Sequence, residues 1–165
     1  MYLVVADASP IHYLVLIDAD QYLERLYGQI LVPDTVAREL LADRTPDKVR
    51  NWMQAPPPWV QLVPATSATQ SNVIGTPLDA GEHEVLLLAL QLRSDLILMD
   101  ERAGTEEARR LGLEVTGTLG VIARYAERGW IDLHATLKML RSTNFRVHPK
   151  LIRDLLEIHY GKQNP

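Results

Sequence analysis

The sequence predicts an α/β fold in which a parallel sheet is sandwiched between helical layers. Short apolar runs rich in Val, Ile and Leu alternate with longer amphipathic segments along the chain, the pattern of βα units rather than of hairpins. Two of these runs, Val4-Val5-Ala6-Asp7 and Ile97-Leu98-Met99-Asp100, stop at an aspartate. Helix-start chemistry follows several runs, as at Ser9-Pro10, Pro33-Asp34-Thr35 and Leu78-Asp79-Ala80-Gly81-Glu82.

The elements follow in order. Residues 2–6 form a β-branched run that reads as a buried central strand, because strands of parallel sheets are apolar on both faces. Ser9 as N-cap and Pro10 at the first helical position start a helix over about 11–26, broken near 18–20. The next strand is 29–32. Pro33-Asp34-Thr35 opens a helix whose Val36, Leu40 and Leu41 form an apolar stripe, placing Glu39 about a turn and a half in. A helix over 46–53 ends at the breaker Ala55-Pro56-Pro57-Pro58, before a strand over 59–63. Residues 64–77, rich in small polar residues, read as a mobile loop. The strongest helix spans 80–93, followed by a strand over 96–99, a helix over 101–111 and a strand over 113–116. Gly117-Thr118-Leu119-Gly120 starts a helix to 128, and amphipathic helices over 132–142 and 149–160 close the chain.

A length of 165 residues without a marked internal boundary or repeat predicts one domain over 1–165. The composition, 47% hydrophobic and 23% charged, is that of an ordinary globular protein, which excludes disordered and fibrous classes. With no cysteine, disulfides, thiolate metal ligands and a cysteine nucleophile are excluded, and a reducing, cytoplasmic location is expected. The N-terminus reaches an acid at Asp7 without a basic segment, unlike a signal peptide. The longest apolar run, 85–90, falls far short of the roughly 20 residues that span a bilayer, so no membrane role is expected. The net charge of −4 hides an asymmetry: residues 1–100 carry 6 basic and 13 acidic side chains, residues 101–165 carry 11 and 8. A polyanionic ligand therefore needs either a basic patch from the second part or metal ions held by the first.

Open parallel sheets bind ligands at the carboxyl ends of their strands. Asp7 and Asp100 end strands there, and Glu39 and Glu82 lie near the starts of helices that the fold carries to the same edge. Clustered carboxylates repel one another, at a cost of several kcal/mol, and a divalent cation removes that repulsion. Oxygen ligands without Cys or paired His select Mg²⁺ or Mn²⁺. Phosphodiester hydrolysis suits such a centre. Arg102, Arg109 and Arg124, with Arg110 and Arg128, are candidates to hold substrate phosphates. Set against this, Asp7 alone serves equally as a helix cap, Asp79 and Glu82 suit a helix dipole, and Glu39 alone is an ordinary surface acid. It is the recurrence of acids at one edge that favours the metal site.

The motifs Val4-Val5-Ala6-Asp7-Ala8-Ser9-Pro10-Ile11, Val36-Ala37-Arg38-Glu39-Leu40, Leu78-Asp79-Ala80-Gly81-Glu82-His83-Glu84-Val85, Leu98-Met99-Asp100-Glu101-Arg102 and Gly117-Thr118-Leu119-Gly120-Val121-Ile122 together resemble the PIN-domain family. They are most similar to a prokaryotic branch that includes toxins of toxin–antitoxin pairs. The resemblance covers essentially the whole chain. It implies an α/β/α fold with a parallel sheet of about five strands, and Mg²⁺- or Mn²⁺-dependent cleavage of single-stranded RNA. It places Asp7, Glu39, Glu82 and Asp100 at the family's four acids, and Ser9 where a hydroxyl supports the first. Asp79 and Glu84 are neighbours that compete with Glu82 for the third position. Glu101 directly follows Asp100, where the family commonly has a further acid two residues on, which leaves one or two metals open. A small antitoxin protein is the partner it suggests.

The five histidines show no paired zinc-ligand spacing. Gly117-Thr118-Leu119-Gly120 lacks the Lys-Ser/Thr of a P-loop and reads as a turn, with Thr118 lining the site. Leu137, Leu140, Leu151, Leu155 and Ile158 of the last two helices read as core, with a dimer or partner groove as the lesser alternative. A phosphoacceptor receiver is disfavoured because no Lys follows the last strand. A haloacid-type phosphatase is disfavoured because Ser9 stands where its second Asp belongs. The serious competitor is a catalytically silent domain of the same fold that binds RNA or a partner protein.

Overall fold

A computed structural model describes residues 2–64 and 72–161. Among these, five strands form one parallel sheet in the order β3-β2-β1-β4-β5: β1 Val4–Ala6, β2 Ile30–Pro33, β3 Val60–Val63, β4 Leu96–Leu98 and β5 Val115–Thr116. Burial follows position. Every residue of β1, β2 and β4 is buried, whereas the edge strands β3 and β5 are partly open, as expected of a sheet whose middle is covered on both faces.

The helices are α1 Ala8–Leu16, α2 Gln21–Tyr27, α3 Asp34–Leu40, α4 Asp47–Gln54, α5 Ala80–Leu92, α6 Arg102–Arg110, α7 Thr118–Glu127, α8 Leu133–Arg141 and α9 Pro149–Gly161. The α/β class and the five parallel strands agree with the sequence, and most boundaries fall within one or two residues of expectation. One start differs. Asp7, not Ser9, occupies the N-cap of the first helix, and Ser9 and Pro10 lie inside its first turn. Proline is accepted there because the first four N–H groups of a helix have no partner within it. The expected break at 18–20 is where α1 ends and α2 begins, with Asp18 at a φ of 57°. Of the expected loop 64–77, residues 65–71 lie outside the described residues.

The chain divides into two compact units, Met1–Thr118 and Leu119–Pro165. The first contains the whole sheet. Its core is the central strands and α5, which packs on β1, β2 and β4 and against α3 and α6. A helix in that position is apolar nearly all round, and α5 buries Val85, Leu86, Leu87, Leu88 and Ala89. The second unit is helical: α7 buries Val121, Ile122 and Tyr125, and α8 buries Leu133, Leu137 and Leu140. No helix among the described residues is long and apolar enough to cross a membrane.

Candidate metal centre

Strand order reverses between β1 and β4: from β1 the chain moves outward through β2 and β3, then returns to the other side of β1. The crevice at such a switch point, beyond the carboxyl ends of the strands, is where open α/β sheets bind ligands. Asp7 directly follows β1, and its N–H donates to the Leu98 carbonyl of β4 at 2.8 Å, so the ladder runs up to the edge. Asp100 lies two residues past β4.

Asp7 is 5% exposed. Although it holds the N-cap position, its side chain bonds no N–H of α1 beyond that of Ala8 and makes no capping bond, so the capping role does not account for it. Burial, chiefly, pushes its carboxyl up to about 7; the Ala8 N–H opposes this, and the charges of Glu39, Asp79 and Glu82 add to it. Asp100 is also pushed up, first by burial and then by Glu101, while Thr118 holds it down. The Thr118 N–H donates to Asp100 Oδ1 at 2.7 Å and its hydroxyl to Oδ2 at 2.6 Å. Both carboxylate oxygens are thereby fixed from the start of α7. Thr118 itself is fully buried.

The start of α5 gathers three more acids, and here the capping role is realised. Asp79 and Glu82 form a capping box: Glu82 N–H donates to Asp79 Oδ1 at 2.8 Å, and Asp79 N–H to Glu82 Oε2 at 3.2 Å. Glu39, reaching from α3, accepts the Gly81 N–H. Burial and then Asp79 raise the Glu39 carboxyl, with Arg44 opposing. Burial also raises Glu82, whose bond from the Asp79 N–H works the other way, and Asp79, Glu101 and Glu39 raise it further.

The structure therefore brings Asp7, Glu39 and Glu82 into one mutually repelling group with Asp79. Asp100 joins it through Glu101, which acts on both Asp100 and Glu82. Among the described residues, no three Asp, Glu or His side chains converge into a ready-made ion cage. The donor chemistry nonetheless suits a hard divalent cation: oxygen ligands only, from buried and half-buried positions, raised first by burial and then by neighbouring acids. Ser9 is half-buried in α1, Glu84 is buried on α5 and Glu101 is exposed at the N-cap of α6.

The arginines stand differently. Arg102 pairs with Glu106 at 2.7 Å on the open face of α6, and Arg109 is exposed at the end of that helix. Arg110 is engaged by Glu107 and by the Val73 carbonyl. Arg124 belongs to the second unit, in α7, and Arg128 lies 5.7 Å over the Trp130 ring.

Sequence reasoning passed over three glycines. A Cβ on Gly81 would collide with Glu39 Oε1, and one on Gly117 would meet Asp100 Oδ1 at 2.6 Å and the Met99 carbonyl at 3.3 Å. On Gly104 it would strike Met99 Sδ, with Glu82 Cδ at 3.6 Å. Each lets a backbone approach the acidic edge more closely than any side chain would allow. A glycine inside a helix, as in Asp79-Ala80-Gly81-Glu82, was the available signal, since it is otherwise unfavourable there. Glu107 was missed as well. It is 3% exposed and accepts bonds from Arg110, from Gly75 N–H at 2.8 Å and from the Thr76 hydroxyl at 3.1 Å. These hold its carboxyl down at about 2, Arg110 foremost, and fasten residues 73–76 to α6.

The structure of the PIN domain endonuclease Utp24 is similar to this chain, with a TM-score of 0.52 at 15% identity, covering 70% of this chain and 84% of that one. At that identity the likeness concerns the fold. Comparison with curated proteins gives no match. The family described as DUF3368, PIN domain, matches residues 3–160, and with the acidic edge at the switch point this completes the assignment: the chain belongs to the PIN-domain family, whose members are generally nucleases.

Proposed function

We propose that this chain is an endoribonuclease that hydrolyses phosphodiester bonds of single-stranded RNA, with Mg²⁺ or Mn²⁺ held by Asp7, Glu39, Glu82 and Asp100. The observation that carries the reading is Asp7, a carboxyl buried beside three other acids, raised to about 7 and given no capping bond to explain it. Burying such a group opposes folding, so its place at the ligand-binding end of the central strand points to use rather than to structure.

When bound, the cation stabilises negative charge building on the phosphate and makes water nucleophilic at neutral pH. The chain's own residues prepare for it. Asp7 would hold the cation as its carboxylate, and because burial raises that carboxyl to about 7, holding it would favour pH above neutrality. Thr118 fixes the direction of the remaining lone pairs of Asp100, and the Gly81 N–H does the same for Glu39. Asp79 orients Glu82 through the capping box. No side-chain nucleophile is required.

The endonuclease named for the similar structure supports cleavage rather than binding alone. The likeness of the motifs to toxins supports a cytoplasmic toxin restrained by a small antitoxin. One observation favours the competing reading of a silent, binding domain: Asp79, Glu82 and Glu39 all accept backbone bonds at the start of α5, and among the described residues no ready cage is formed.

Cleavage of an end-labelled, unstructured RNA decides between them. The wild type with Mn²⁺ or Mg²⁺ should yield internal cuts, abolished by EDTA and reduced at least about a hundredfold by Asp7→Asn. Cutting that survives both chelation and Asp7→Asn would overturn the mechanism. No cutting under any divalent cation would favour the silent domain.

A further inference from the structure

The second unit has a basic, apolar-floored groove that the nuclease reading does not use. Residues 119–165 carry eight basic and four acidic side chains. Between α8 and α9 lies an open groove of about 550 Å³, with a floor of Leu137, Ile152 and Leu156 and a rim that includes His134, Lys138 and Arg141. Among the described residues, Lys138 and Arg141 enter no ion pair, whereas Lys150 is matched by Asp154 at 2.7 Å. Asp132, the acid nearest in sequence to α8, is occupied in capping it through the Ala135 N–H at 2.7 Å.

Helix α9 is under-buried for its composition. Ile152 is its one buried residue, while Leu151 and Ile158 are 54% and 56% exposed and Tyr160 is 41% exposed. The groove takes Ile152 and Leu156 from this helix. The candidate occupants differ in what they could match.

RNA would satisfy Lys138 and Arg141, but an aliphatic floor offers its bases nothing to stack on. A second copy docking symmetrically would bring two basic rims, each with Lys138 and Arg141, into one interface. A second copy offering its acidic first unit would form a ring or an open-ended chain of copies, not a two-fold dimer. A helix with leucine-like residues on one face and carboxylates flanking them matches both floor and rim.

We propose that the α8–α9 groove docks an acidic amphipathic helix of a partner protein, with Lys138 and Arg141 reading its carboxylates and Leu137, Ile152 and Leu156 receiving its apolar face. The assignment is independent of whether the acidic edge cleaves RNA. It gives the chain a recognition surface in the unit that lacks the acidic edge of the sheet.

The test uses the full chain and a fluorescein-labelled designed helix of Leu and Glu with its leucines on one face. A scramble of the same composition and a single-stranded oligouridylate serve as comparisons, all followed by anisotropy. The amphipathic helix should bind saturably and at least about tenfold more tightly than the scramble. The surface double variant K138E/R141E should weaken it about tenfold or more, and Leu156→Asp should do likewise. Amide shifts on peptide addition should concentrate in α8 and α9. Equal binding of the scramble, or binding indifferent to K138E/R141E, overturns the proposal. So does charge reversal that removes oligouridylate binding and not peptide binding, or a dimer that Leu156→Asp converts to monomer.

Discussion

The two compact units handle charge in opposite ways. Residues 1–118 carry 17 acidic and 9 basic side chains, and the acids that matter are drawn inward, Asp7 and Glu82 each to 5% exposure. Residues 119–165 carry 4 acidic and 8 basic, with Lys138 and Arg141 left exposed beside an apolar groove. Exposed charge is nearly free, so its arrangement says little until something apolar lies next to it. Buried like charge opposes folding, and it persists where function needs it. The comparison teaches that the first unit buries acids that oppose its folding, whereas the second leaves its charge exposed at little cost.

Asp7→Asn gives the largest expected effect and breaks the comparison if it fails. The RNA cleavage loss should be accompanied by a gain in stability. The Asp7 carboxyl titrates near 7 in the folded chain against 3.8 ordinarily. Its protonated form is therefore favoured by folding. The stability it allows is fully present below about pH 4 and is lost as pH rises through about 7. In chelator, the wild type should weaken across that window by up to about 4 kcal/mol, while Asp7→Asn stays flatter. Thermal melts at pH 5 and pH 8 measure it; a variant less stable than wild type at pH 8 contradicts the account.

Gly81→Ala comes next. Its methyl must displace the Glu39 carboxylate, so divalent-cation-dependent cleavage should fall about tenfold or more, while the helix itself, which gains an alanine, changes by less than about 1 kcal/mol. A stability loss of several kcal/mol with kcat/KM unchanged would show that Gly81 serves packing alone. A smaller effect is expected at Thr118. Thr118→Val removes the hydroxyl bond to Asp100 and should cost about 1 to 2 kcal/mol in chemical denaturation, with rescue by Thr118→Ser. A loss in Thr118→Ser with none in Thr118→Val would mean that the methyl, not the hydroxyl, matters. The smallest effect is on the other unit: K138E/R141E should leave RNA cleavage within about twofold of wild type, and a large drop would merge the two surfaces into one.

Much of this was legible in the sequence. Apolar runs ending at Asp7 and Asp100 located the strands and the edge, because a parallel sheet buries its middle strands on both faces and leaves ligands only the strand ends. The Asp79/Glu82 spacing announced a helix start, and the structure shows the reciprocal capping that such spacing allows. What stayed hidden depends on residues far apart in the chain. Nothing near Glu39 says that it lies over Gly81, and nothing near Asp100 says that Thr118 will hold both its oxygens. The fastening of Gly75 and Thr76 by Glu107 spans more than thirty positions. The pairing of Arg102 with Glu106 and of Arg110 with Glu107, three or four residues away, is a local contact that the sequence reading did not weigh.

The central claim is that the acids at the end of β1 hold a divalent cation. Mn²⁺ binding to the wild type and to Asp7→Asn, followed by electron paramagnetic resonance at pH 8, tests it most directly. The account predicts saturable binding by the wild type, accompanied by a rise in melting temperature, and loss of both in Asp7→Asn. Equal binding in the two proteins, or none in the wild type, would contradict it.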